Sequence, residues 1–336
     1  MNRPAKKFLF TICFLIVGII TNAQQIKSVE VSDTLNNTDS RDFRPPNRTD
    51  GTATTHPNTR RIVLIGAANI SLWTVSFIVL NKAWYSNYPR SSFHFFNDIH
   101  EWNQMDKGGH FWTNYHVTRL SSEMWKWTGL PEKKSVILGG ISGVAYQSII
   151  EIQDGFSQEW GFSWPDMTAN VMGAAVFVSQ ELRWHEQRVQ IKLSYWPYNY
   201  SNDMMARRNQ LFGKSLQERI LKDYNSQTYW ASAKLSSFFP SAGFPKWLNI
   251  SVGYGSDGMF GGTENKWTDK MGNEHDRMDI KRVRRFYLAP DIDLTSIRTN
   301  SKLLSTVFYV LNMVKFPAPA IEFNSTKKLK FHYLKF

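Results

Sequence analysis

The sequence predicts an α+β protein: a helical bundle, either buried or membrane-embedded, followed by a strand-rich C-terminal module. Three observations carry this. Apolar stretches with helix-like spacing of their polar residues fill positions 60–185. After Arg188 the pattern alternates, with Val189, Ile191, Leu193 and Tyr195 set between Gln190, Lys192 and Ser194. That is the period of a half-buried strand. Before position 60 the chain reads as a targeting segment and then a polar tether.

Positions 1–23 have the form of a secretory signal peptide. Arg3, Lys6 and Lys7 precede an apolar run at 8–20, and Ala23 offers a small residue before Gln24. The single cysteine, Cys13, lies inside the apolar run. A lipidation signal needs its cysteine at the end of the run, so the mature chain is expected to carry no lipid there, no disulfide and no cysteine nucleophile. Positions 24–59 are polar, with Pro45, Pro46 and Pro57, and read as a flexible linker. Removing Arg3, Lys6 and Lys7 takes the formal charge from +12 to +9. A basic exported protein suits anionic headgroups, and no zinc-finger, RNP-type or P-loop pattern is present, so nucleic acid is not an expected partner. The 13 Trp and 13 Tyr fit a protein near a membrane interface.

The helical module is expected over 60–185. Positions 62–80 form an uncharged run of 19 residues, long enough to span a bilayer. A second helix is expected over 101–127, stopped by Gly129 and Pro131, and a third over 135–150, where Gly139, Gly140 and Gly143 allow close approach. Pro165 opens a fourth, through Trp184. The strand-rich module covers 188–336, with strands expected at 189–195, 228–238, 247–254, 285–294 and 328–336, and helices at 211–224 and 301–314. The terminal Phe336 invites a β-barrel reading, but Leu334, His332 and Lys330 precede it in phase, so the alternation fails.

Polar residues on the helices form the candidate site. Asp106 and His110 are i,i+4 and share a face, with Lys107 beside them. Glu151 and Gln147 share a face at the end of the third helix, with Gln153 near them and Asp154 just outside it, and Asp166 and Asn170 share a face of the fourth. If these faces converge, an Asp–His pair can orient an imidazole for acid–base work, and two carboxylates with a histidine can bind a divalent metal. Each residue also has a plain structural use: Asp166 can cap its helix, Asn170 can bridge helices, and Lys107 can neutralise a carboxylate.

These residues carry a resemblance. Asp106-Lys107-Gly108-Gly109-His110, then Glu151-Ile152-Gln153, then Ser163-Trp164-Pro165-Asp166 with Asn170 and Gly173, resemble the YfiM-like envelope proteins (domain of unknown function 2279) and, more distantly, the VanZ-like membrane proteins. The resemblance implies an exported protein of the bacterial cell envelope, membrane-associated at the outer membrane or on the periplasmic side. It implies site candidates but no reaction. The leading expectation is therefore a protein that binds membrane lipid or another envelope component. The alternative is a hydrolase or transferase acting on an envelope lipid or glycan, with His110 as base, Asp106 orienting it, and Glu151 and Asp166 as metal or substrate ligands. Lys107, Gln153, Asp154 and Asn170 are the accompanying ligand-binding candidates. No cofactor, metal or oligomeric state is assigned by the sequence. The signal pattern gives one test: N-terminal sequencing of the membrane-fraction protein should begin near Gln24, and an intact N-terminus in the cytoplasm would refute export.

Overall fold

A computed structural model describes residues 56–83, 89–269 and 271–336. The expected signal peptide, Cys13 and most of the expected linker lie outside the described residues. The chain forms α1 (Thr59–Ala83), α2 (Met105–Trp127), α3 (Glu132–Gly155) and α4 (Trp164–Trp184). There follow β1 (Val189–Tyr195), α5 (Met205–Phe212), α6 (Leu216–Lys222), β2 (Gln227–Lys234) and α7 (Leu235–Phe238). The chain continues through β3 (Leu248–Asp257), β4 (Lys266–Thr268), β5 (Glu274–Asp276) and β6 (Val283–Ile292), and closes with α8 (Lys302–Leu311), β7 (Ala318–Asn324) and β8 (Leu329–Lys335). The class is α+β. One antiparallel sheet has the order β1-β2-β3-β6-β7-β8, and β4–β5 is a separate hairpin.

Small residues set the bundle spacing. α2 packs on both α3 and α4. A side chain at Gly139 would collide with Ser122, and one at Gly173 with the Phe111 carbonyl, so α2 lies closer to both partners than larger residues would permit. The bundle then seats on the sheet. Tyr229 of β2 lies under Gly108 and Gly109, and the buried His116 ring bonds the Ile191 carbonyl at 2.8 Å. Burial drives the His116 pKa down to about 3, so this imidazole is a neutral packing element. α1 leaves Val63, Leu64 and Ile70 more than half exposed. It is long and apolar enough to cross a membrane by length and composition, as is α3, which is much more buried.

Several boundaries differ from the sequence expectation. The helix expected from 101 starts at Met105, because Trp102, Asn103 and Gln104 all have positive φ. The helix expected over 211–224 is two helices, broken at Gly213 with φ +83. β7 and the β4–β5 hairpin fall where no strand is expected. The failed phase at Phe336 also has a cause. An irregularity in the β7–β8 register between Ala318 and Ala320 separates the last residues from Leu329 and Phe331, which pair with Phe323 and Ile321. Phe336 instead stacks on Trp196, with ring centroids 4.4 Å apart.

The inner face of the sheet is polar. Lys192 and Asp291 form a fully buried ion pair at 2.8 Å, and Ser232 donates to the same carboxylate at 2.6 Å. Asp257 pairs with Arg285, and Glu322 with His332 at 2.9 Å. Buried charges are tolerated only when paired in this way. The helix spacing generates a prediction. Gly173→Leu should lower stability by about 1–3 kcal/mol through overpacking, read by thermal unfolding, whereas an unchanged transition would contradict the close α2–α4 approach.

Candidate functional site

The expected polar faces converge at one end of the bundle, where α2 and α4 begin and α3 finishes. Lys107 is the centre. Its ammonium lies 2.5 Å from Asp98 Oδ2, 2.8 Å from Asp166 Oδ1 and 3.1 Å from Asp106 Oδ2. The His110 ring sits beside this group. Nδ1 is 3.2 Å from Asn170 Oδ1 and 3.5 Å from Glu151 Oε1, while Nε2 is 3.8 Å from both Asp106 Oδ1 and Asp166 Oδ1. Asp106 and His110 are the more exposed members, at 22% and 17% of their side chains, and Glu151 is almost fully covered at 1%.

Local sequence explains the placement. Ser163 caps α4 by accepting from the Asp166 amide at 3.1 Å, and its hydroxyl donates to Asp98 at 2.6 Å. Asp166 is therefore not the cap; it occupies the first turn, where the helix dipole favours an acidic group. Asn170 accepts from Gln147 at 3.2 Å, and its carbonyl accepts from Asn114 at 2.5 Å, joining all three helices. Just before α2, the left-handed Trp102, Asn103 and Gln104 store backbone strain. Sheet contacts hold them: Tyr254 donates to the Asn103 carbonyl at 2.5 Å, and Arg284 to Gln104 at 2.5 Å.

Six of the eight sequence candidates meet: Asp106, Lys107, His110, Glu151, Asp166 and Asn170. Asp154 lies inside α3 and not beyond it; its charge acts on Glu151. Gln153 is buried away from the His110 contacts, bordering a small recess with Pro89, Arg90 and Phe156. Sequence reading missed Asp98, Ser163 as the cap, and Tyr224, which donates to Asp106 at 2.6 Å. The Ser-x-x-Asp spacing before an apolar run could have identified Ser163. Asp98 and Tyr224 come from irregular segments with no periodic signal.

The carboxyls differ in proton affinity. Burial pushes Glu151 up to about 9, helped by the charges of Asp154 and Asp106. Burial and the nearby Asp106 charge also raise Asp166, against the pull of Lys107. Burial opposes ionisation of Asp106 too, but His110, Lys107 and the Tyr224 hydroxyl hold its carboxyl below the usual range. The Lys107 ammonium stays charged: burial acts against it, and Asp106 and Asp166 outweigh that cost. Chemically, the group can exchange protons around one imidazole. Ligand atoms of Asp106, His110 and Asp166 also lie within 4.8 Å of one another, close enough for a metal ion, although Lys107 already supplies positive charge to both carboxylates.

A strained turn, a capped helix and a buried acid–imidazole cluster together define a polar centre at one end of the helical bundle. The comparison with known families places it more closely. Residues 94–180 match the family described as predicted periplasmic lipoprotein (DUF2279). That span contains every member of the cluster except Tyr224. It supports an exported, envelope-associated protein carrying a domain of unknown function. No curated protein and no solved structure matches the chain.

The raised Glu151 pKa sets a sign for stability against pH. The folded state holds this proton more tightly than the unfolded chain, so the stabilisation is full below the unfolded value of 4.5 and is lost as pH rises toward about 9. Glu151→Gln should remove that loss, giving a flatter stability profile than the parent between those limits in pH-dependent unfolding. Parallel profiles would show that Glu151 is not held protonated. Lys107→Met, by contrast, should cost about 3–5 kcal/mol at neutral pH, because it strands buried carboxylates.

Proposed function

We propose that the protein is an envelope hydrolase or transferase that uses this cluster for acid–base chemistry on an envelope lipid or glycan. One observation carries the reading: the carboxyls around His110 are driven apart, with Asp106 held ionised and Glu151 held protonated. Separating the proton affinities of neighbouring groups lets one site hold an acid and a base at neutral pH. With Nδ1–H donated to Asn170 Oδ1, Nε2 keeps its lone pair on the side of Asp106. His110 then accepts a proton from a water or a substrate hydroxyl, and Asp106 stabilises the imidazolium. As the activated oxygen bonds to the substrate centre, the bond to the leaving oxygen breaks and the Nε2 proton passes to that oxygen, while Glu151, almost fully covered on the Nδ1 side, stays neutral and leaves the negative charge to Asp106. Lys107 and Asn170 position the carboxylates and the ring.

A binding role without turnover is the second reading, favoured by a separate observation. Gln147 Oε1, Asn114 Oδ1 and Asn170 Nδ2 are buried without a hydrogen-bond partner, and unpaired buried polar atoms are costly. A bound polar headgroup would satisfy them.

Full-length protein, His110→Ala and Asp106→Asn should each be incubated with total envelope lipids and with soluble glycan fragments, followed by mass spectrometry. The parent should convert one lipid or glycan class, and both variants should lose about 10²–10⁴-fold in rate while keeping their unfolding temperature. A class that co-purifies unaltered with the parent, and is lost from His110→Ala, would instead support binding. Neither conversion nor retention would refute both readings.

A further inference from the structure

The sheet has inverted polarity. Its inner face carries the Lys192–Asp291, Asp257–Arg285 and Glu322–His332 pairs. Its outer face carries two apolar rows that cross the strands. Ile191, Ala231, Val252, Leu288, Ile321 and Phe331 are paired in register along one row. Leu193, Tyr229, Tyr254, Phe286, Phe323 and Leu329 form the other. The bundle covers the β1–β2 end of both rows, through Tyr229 beneath Gly108 and Gly109 and through the His116 contact at Ile191. Apart from Tyr254, which the turn before α2 partly covers, the β3-β6-β7-β8 end is bare. Val252, Ile321, Phe323 and Phe331 are 59%, 46%, 52% and 60% exposed, and Leu329 is 73% exposed. Contiguous apolar patches of this kind mark an interaction surface.

We propose that the bare outer face of β3, β6, β7 and β8 lies against the hydrocarbon of a lipid bilayer. Three features select lipid over a second copy of the chain or a soluble partner. The first is the inversion itself, because apolar-out and polar-in alternation is the pattern of sheets that face acyl chains. It extends to the helices: α3 buries Ser142, Gln147 and Glu151 while exposing Ile137, Ile141 and Ile152. The second is the arrangement of the two strand ends. Exposed Trp247 and Phe316 stand where β3 begins and before β7, as interfacial aromatic residues do. The β7–β8 turn at the opposite end carries exposed Lys327 and Lys328, next to Arg284, which bonds Ser325 through its amide. The third is charge. A second copy would bring another strongly basic chain to a cationic rim, whereas anionic headgroups complement it. The proposal stands independently of the acid–base reading, since no outer-face residue of β3, β6, β7 or β8 belongs to the His110 cluster.

The test must separate this face from α1, which could hold the chain on a membrane alone. On a Cys13→Ser background of the full chain, Val252→Cys, Ile321→Cys and Phe331→Cys should be labelled singly with an environment-sensitive fluorophore. Ile70→Cys on α1 and Ser237→Cys serve as references. Each protein is mixed with vesicles of phosphatidylethanolamine and phosphatidylglycerol, with or without bromine on the acyl chains. The three sheet labels should shift to shorter emission wavelengths and lose most of their emission to the brominated chains, and the Ser237→Cys label should not. Quenching at Ile70→Cys alone, with the sheet labels unchanged in folded protein, would overturn the proposal. Sheet labels shielded without vesicles, in step with a doubling of mass, would overturn it in favour of a second copy. Because three positions report separately, and circular dichroism checks each fold, one misfolded variant leaves the outcome decided by the others.

Discussion

A single ammonium joins the parts of this molecule that carry its chemistry. Lys107 draws together Asp98 from the loop before α2, Asp106 from α2 itself and Asp166 from the first turn of α4. Four carboxyl groups crowd this end of the bundle, counting Glu151. Without a central cation they would repel one another in a poorly solvated setting. With Lys107 in place, charge is shared unevenly: Asp106 remains ionised, while Asp166 and Glu151 are pushed toward their neutral forms. The imidazole of His110 lies among groups that differ in proton affinity because burial weighs on every carboxyl and the neighbouring charges and hydrogen bonds offset it only at Asp106.

Part of this was legible in the sequence, and for identifiable reasons. Helical spacing fixes which residues share a face, so Asp106 pairs with His110, and Asp166 with Asn170, on sequence spacing alone. Whether the faces met required tertiary information, but the small residues at Gly139 and Gly143 on the neighbouring helix indicated close packing. The class, α+β, followed from the change of period at Val189. What could not be read came from irregular backbone. Asp98 sits in a loop, and Tyr224 arrives 118 residues after the carboxylate it bonds. Strain at Trp102, Asn103 and Gln104 shortened α2 because side-chain spacing carries no record of positive φ on non-glycine residues. Counting back from Phe336 failed for a similar reason, since a register shift in β7–β8 breaks the phase that alternation presumes.

The inverted polarity of the sheet bears on the same question. Buried polar and charged residues outnumber buried apolar ones among the described residues, so hydrophobic burial against water is a weak account of how this fold coheres. Ion pairs and small-residue contacts do more of the holding than usual. Such interactions gain in strength where the surroundings are poorly polar, which is the environment that the apolar exterior of β3, β6, β7 and β8 would meet in a bilayer.

The two modules then act on one another at Asp106. Asp106 and Asp166 each face Lys107 and each lie 3.8 Å from His110 Nε2, but Asp166 is the more buried, at 7% against 22%. A further difference comes from outside the bundle. Tyr224, in the turn leading into β2, donates a 2.6 Å hydrogen bond to Asp106, and no tyrosine hydroxyl does the same for Asp166 among the described residues. Against the burial of Asp106, His110 and Lys107 lower its carboxyl most and the Tyr224 bond adds to them, because a hydrogen bond to the charged form favours ionisation, while burial and the Asp106 charge raise Asp166. The sheet module also grips the strained turn before α2 through Tyr254 and Arg284, which fixes where Asp106 starts. The strand-rich half therefore reinforces the choice of Asp106 as the base-side partner of His110, although all but one of the cluster's residues lie in the helical half.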